Sequence, residues 1–196
     1  MPAMEEDGWR ALSQKLSARS WGLSMNKTLR SMFAAALAVG LIPHEAAFAQ
    51  SAGCTIARDA SARQVFTCPG GVKITAEAGA SFRLADRNRD GSPDSASLRR
   101  KAILVDVDSS QHTGGFQVVT PQAIAAVRGT QWAVDVASGK TSVLVVRGSV
   151  AVRRPAGEQV VLSPGEGVDV TGGTEPLVVR RWPAPRAAAL LARLGQ

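Results

Sequence analysis

Histidine is nearly missing from this chain: 196 residues hold two, His44 and His112. Proton transfer near neutral pH leans on histidine, and zinc needs His or Cys sets at ligand spacing. His112 stands alone in a polar Ser-Ser-Gln-His-Thr-Gly-Gly loop and reads as a solvated side chain. With only Cys54 and Cys68 besides, no zinc site can be assembled, and a redox role lacks the C-x-x-C spacing. There is no G-x-S-x-G elbow for a nucleophilic serine. Gly139-Lys140-Thr141 resembles the end of a phosphate loop, but Val134 stands where the earlier glycine belongs and no helix follows. These gaps give a non-enzymatic reading, with an enzyme as the weakest alternative. Aromatics are only 5% and never interleave with a basic run, so no nucleic-acid partner is expected. Long apolar runs are lacking too. Met32 to Pro43 is the longest, about 12 residues, against roughly 20 needed to span a bilayer.

What is present begins with a leader. Met1 to Ser24 reads as an unstructured extension or a misassigned start. From Met25, basic Lys27 and Arg30 precede the apolar run, and Ala47-Phe48-Ala49 offers a small-x-small cleavage site before Gln50. Residues 25–49 are therefore read as a signal peptide, leaving a mature chain without an integral membrane span. The first 49 residues carry five basic and four acidic side chains, which leaves 18 and 12 in the mature part, a net +6. Lysine is scarce and the arginines are scattered instead of clustered. Such a balance favours acidic partners, anionic glycans among them.

The mature part is written in strands. In TQWAVDV, Trp132, Val134 and Val136 fall on one face, and Gln131, Ala133 and Asp135 on the other. TSVLVVRG is apolar on both faces, as in a strand covered on each side. VKITA, SFRLA and AILVDV alternate in the same way, with SLRRK as a charged bend before the last of them. Glycines punctuate the run at Gly129, Gly139, Gly148, Gly157, Gly165 and Gly167. Short strands at such intervals indicate an all-β single domain, a solenoid-like or sandwich stack, over residues 50–183. Trp132 and Phe116 could form a stacking surface for a sugar, but in this pattern they read as core. The tail from 184 to 196 is a short C-terminal α-helix, with Pro185 at its start and Leu190, Leu191 and Leu194 as its apolar stripe. It reads as a cap on the β structure. Its alternative is a partner-docking helix beside an exposed Arg180-Arg181-Trp182.

Two further features carry chemistry. Cys54 and Cys68 flank a strand–loop–strand segment, and an even pair in an exported chain reads as a disulfide. Asp86-x-Asn88-x-Asp90-Gly91-Ser92-x-Asp94 offers oxygens at the alternate positions of a calcium loop. Asp86, Asn88, Asp90, the Ser92 carbonyl and Asp94 would be the ligands. Ser97 stands where a bidentate glutamate is usual, and Arg87 and Arg89 sit inside the loop, so any affinity is weak. An ordinary solvated Asp/Asn/Gly hairpin loop would use the same residue types. No other cofactor is indicated.

TPQAIAAVRGTQWAVDV, then TSVLVVRGSVAV, then GEQVVLSPGEGVDV, over residues 102–170, resembles the FecR domain. The core of the resemblance is Val127-Arg128-Gly129-Thr130 with Trp132, followed by Arg147-Gly148-Ser149-Val150. It implies a periplasmic all-β module without catalytic activity that binds a protein partner in the envelope or takes part in sensing. This chain would be the module alone, without the anti-sigma, membrane-spanning and receptor-facing parts of the FecR regulators. Arg128 and Arg147, at strand–glycine junctions, are expected to tie turns together through hydrogen bonds to carbonyls. A cell-wall or glycan-binding module, calcium-stabilised or not, is the alternative.

Overall fold

One strand organises the molecule. In a computed structural model that describes residues 53–196, β5 (Ser95–Val107) runs for 13 residues. The extension and the signal segment of the sequence lie outside the described residues. SLRRK does not separate two strands, as its charges suggested. Lys101 takes a left-handed φ of +62°, which turns β5 without ending it.

The turn makes β5 serve two halves of one curled sheet. Its first part pairs antiparallel with β4 (Ser81–Ala85) and parallel with β6 (Phe116–Val119). Its second part pairs antiparallel with β3 (Val72–Ala76) and β8 (Gln131–Ala137). Beyond β6 the first half continues through β7 (Ile124–Val127), β10 (Val150–Arg153) and β11 (Gln159–Leu162). We call it the open half. The other half extends from β3 through β2 (Gln64–Cys68) to β1 (Thr55–Arg58) on one side. On the other side it runs from β8 through β9 (Lys140–Arg147) and β12 (Glu166–Thr171) to β13 (Arg180–Arg181). We call this the covered half. The result is an all-β half-barrel of 13 strands.

The curl closes the sheet over its own apolar face. Ile74, Leu98, Val105, Val118, Val143, Val150 and Leu162 point inward from both halves and are wholly buried. Phe116 and Trp132 meet edge to face here, ring centres 6.2 Å apart, so neither offers a sugar a platform.

The covered half has a second apolar layer outside. Ala102, Leu104, Ala133 and Leu144 face away from the core onto Trp182, Leu190 and Leu194. This is why TSVLVVRG is apolar on both faces: Val143 and Val145 face the core, and Leu144 faces the helix. That helix, α1 (Ala184–Arg193), begins with Pro185 in its first turn and ends with Arg193, whose charge suits the carbonyl end. The cap reading of the tail holds. Arg180 and Arg181 are exposed as expected, but Trp182 is buried. Its indole lies directly against Gly167, where any side chain would collide with the ring.

Two arginines fasten the helix to the sheet. Arg193 donates to Glu77 and to Asp135, at 2.6 and 2.7 Å. Arg186 donates to Asp169 at 2.6 Å and stacks 3.6 Å above the Trp182 ring. Partial burial pushes the Glu77 and Asp169 carboxyls up, but these guanidinium bonds outweigh it and hold both below the usual range. At the far edge of this half, a disulfide joins Cys54 to Cys68 and closes the β1–β2 hairpin. Among the described residues, no helix is long and apolar enough to cross a membrane.

Candidate functional site: the open face and its arginine-flanked cleft

Among the described residues, nothing forms a second layer on the outer face of the open half. Registers place Gln117, Ala126, Ala151 and Val161 in one row across β6, β7, β10 and β11, and Val119, Ile124, Arg153 and Gln159 in the next. The first row floors a cleft of about 610 Å³. Gly114 and Gly115 wall one side, and Arg87 and Arg128 flank it. Val161 is 60% exposed there.

Local structure holds the walls in place. His112 is buried, contrary to its solvated reading: a ring nitrogen lies 2.9 Å from the Gly115 carbonyl oxygen, and the ring meets the edge of Phe116. The loop returns onto the core at Phe116, and the imidazole goes with it. Arg87 points its guanidinium at the Gln117 side-chain oxygen, with the amide oriented to accept. Arg128 is exposed and meets no carboxylate among the described residues.

The ordered RGT and RGS segments meet where the two halves join. Thr130 is fully buried, and its hydroxyl lies 3.2 Å from the Arg128 carbonyl oxygen and 3.1 Å from that of Ser149. Gly129 and Gly148 both take left-handed φ, at +62° and +82°. A Cβ at Gly148 would stand 2.8 Å from the Thr130 hydroxyl oxygen, so only glycine lets the two turns cross. Arg147 does not bond a carbonyl: it pairs with Asp106 at 2.8 Å, which Gln131 also approaches. Arg128 takes no carbonyl either. The turns are tied by Thr130 instead. A second tie was not foreseen. Thr120 and Thr141 hydroxyls, 2.8 Å apart and both buried, join the turn before β7 to the start of β9.

The acidic loop turns its oxygens inward. Asp86 accepts from the backbone N–H of Asp90 and Gly91, Asp90 from that of Ser92, and Asp94 from that of Arg87. Asn88 donates to Asp90 at 2.8 Å. Among the described residues, no group of three or more His, Cys, Asp or Glu is gathered so as to hold a metal ion.

Of the residues singled out in the sequence, Arg128 borders the cleft and Asp94 lines it. Gly129, Thr130, Arg147 and Gly148 build the crossing, Trp132 lies in the core, and the cysteines lie at the opposite edge. The signal missed was the meeting of Arg87 with Ala126, Ala151 and Val161. These residues are far apart in the chain, and only the pairing of β6, β7, β10 and β11 brings them together.

Fold and site together define an all-β module, a curled sheet sealed outside on one half and, among the described residues, open on the other. The family model described as FecR protein matches residues 55–151, and this stretch is a FecR domain. Two crystal structures, at 2.50 and 1.65 Å, of a protein provisionally assigned as an anti-sigma factor from Parabacteroides distasonis share the fold. Each aligns with a TM-score of 0.54 at 21% identity, over 70% of this chain and 64% of that one. The chain thus spans under two-thirds of the length of those relatives. No curated protein matches it.

Proposed function

We propose that this protein is an exported, non-enzymatic FecR-type module that acts in envelope signalling by binding a protein partner. The observation that carries the reading is the unequal treatment of its two outer faces. One is sealed by the chain's own helix, while the other leaves apolar side chains and arginines to solvent within a family known for regulators. The burial of Trp132 and Phe116 removes the stacking platform that a glycan-binding module would use. The disulfide fits a chain that matures in an oxidising compartment such as the periplasm.

Photo-crosslinking tests the reading. A benzophenone residue at Val161 on the open face, and another at Ile56 on the exposed β1 edge, would be placed in the full chain and irradiated in intact envelopes. A discrete protein adduct is expected, and its absence from both positions would sink the partner reading. Intact mass of the purified product checks export: cleavage after Ala49 is expected, and a cytosolic species beginning at Met1 would overturn it. Calcium at the loop from Asp86 to Asp94 is a separate proposal. A cation there would have to displace the N–H donors those carboxylates now hold, which keeps the affinity weak.

A further inference from the structure

Charge is distributed unequally over the two halves. Every ion pair among the described residues lies in the covered half or on its helix: Arg63 with Asp59, Arg147 with Asp106, Lys140 and Arg186 with Asp169, and Arg193 with Glu77 and Asp135. On the open half, Arg83, Arg87 and Arg128 are exposed and no carboxylate pairs with them. The acids nearest the cleft are already engaged. Asp94 accepts from the Arg87 N–H and the Ser95 hydroxyl, and Asp86 and Asp90 accept from their own loop. Among the described residues these arginines therefore have no carboxylate paired with them, and Asp94 at the cleft wall offsets only part of their positive charge.

The floor between them is apolar and shallow. Gln117, Ala126, Ala151 and Val161 step across four neighbouring strands, a width of roughly 14 Å at the usual strand spacing. An extended chain of about four residues covers that width. Small floor residues let a backbone approach closely. A free anion would gain nothing from the Ala-Ala-Val floor, and an apolar segment would gain nothing from the arginines.

We infer that this cleft is the docking site for an acidic segment of the protein partner, an extended stretch whose carboxylates reach Arg87 and Arg128 while small apolar side chains rest on Ala126, Ala151 and Val161. The inference rests on the partner-binding function proposed above and names the chemistry of what is bound.

The test uses the full chain with a fluorescent peptide of alternating aspartate and valine, and a counterpart with lysine for aspartate. The aspartate peptide should bind and the lysine peptide should not. Arg87→Ala or Arg128→Ala should each weaken binding about tenfold, in keeping with the loss of a charged hydrogen bond. Arg180→Ala with Arg181→Ala, which removes two charges elsewhere, should leave it unchanged. Amide shifts on titration should centre on Gln117, Ala126, Ala151 and Val161. Equal loss in the Arg180/Arg181 variant, or no binding of the aspartate peptide, would overturn the inference. Polygalacturonate binding at these same amides as tightly as the peptide would overturn it in favour of an anionic glycan. Failure here is separable from failure of the partner reading: envelope crosslinks formed from Ile56 but not from Val161 would reject the cleft and keep the partner.

Discussion

The two outer faces of this curled sheet begin from similar sequences and reach opposite ends. On the covered half, Leu104, Ala133 and Leu144 lie under Trp182 and the helix, and the charged groups around them are matched. On the open half, Ile124, Ala126, Ala151 and Val161 face outward with nothing among the described residues over them, and no described carboxylate pairs with the nearby arginines. Both faces belong to one sheet with one core, so stability does not require the second face to be bare. The apolar row beside unpaired arginines is the feature on which the proposed partner binding rests.

The largest effect should come from a charge placed on each face in turn. Ala133→Lys buries an unpaired ammonium beneath the helix and should cost about 3–5 kcal/mol or prevent folding. Ala126→Lys on the open face should stay within about 0.5 kcal/mol. Urea melts decide it. Equal costs would mean that the open face is covered in solution.

Trp132→Ala strikes the core shared by both halves and should destabilise by about 3–5 kcal/mol. Far-UV and near-UV melts should still coincide. Separate transitions would show that the halves fold independently of β5.

Cys54→Ser removes the clasp from one edge of the covered half. The disulfide closes a loop of 14 residues in separation, and its loss should cost roughly 3 kcal/mol in the chain-entropy model. Alkylation without reductant should label no thiol in the parent protein. Two labelled thiols would contradict the bridge.

Acid should loosen the helix and spare the open face. Because Glu77 and Asp169 are held below their usual range, their contribution is complete above that range and is lost as pH falls below it through the lowered values. The pairs are partly solvated, so each is worth on the order of 1 kcal/mol or less. Hydrogen exchange of α1 should accelerate at pH 3 while β7 and β10 stay protected. Arg193→Ala should abolish most of the difference.

A separate effect is expected of calcium. With a Kd of about 10⁻³ M, as for weak sites, a tenfold excess of calcium would stabilise by about 1.4 kcal/mol. Asp86→Ala should remove that shift. Identical melting in calcium and in chelator would leave the loop as a turn held by its own hydrogen bonds.

Much of the fold was legible because strand alternation is a local property. The inward positions of β8 and β9, the double-sided pattern of TSVLVVRG and the helix with its proline start could each be read within a few residues. So could the disulfide, since two cysteines admit one pairing. The glycines of the RGT and RGS segments marked turns, but not that the turns cross.

Pairing order belongs to tertiary structure, and what depends on it was hidden. SLRRK looked like a bend because its charges suggested solvent, yet Lys101 turns the strand while the backbone ladder continues on both sides. Trp182, read as exposed beside two arginines, is buried because the helix folds back over β8 and β9. The arginines looked scattered along the chain. Sheet order gathers the carboxylates and their cations on one half, and leaves Arg87 and Arg128 beside an uncovered row contributed by four strands. Local sequence determined which residues form strands and which side of each is apolar. Which apolar side would be sealed depended on where the last helix came to rest, a contact between segments some 50 to 90 residues apart.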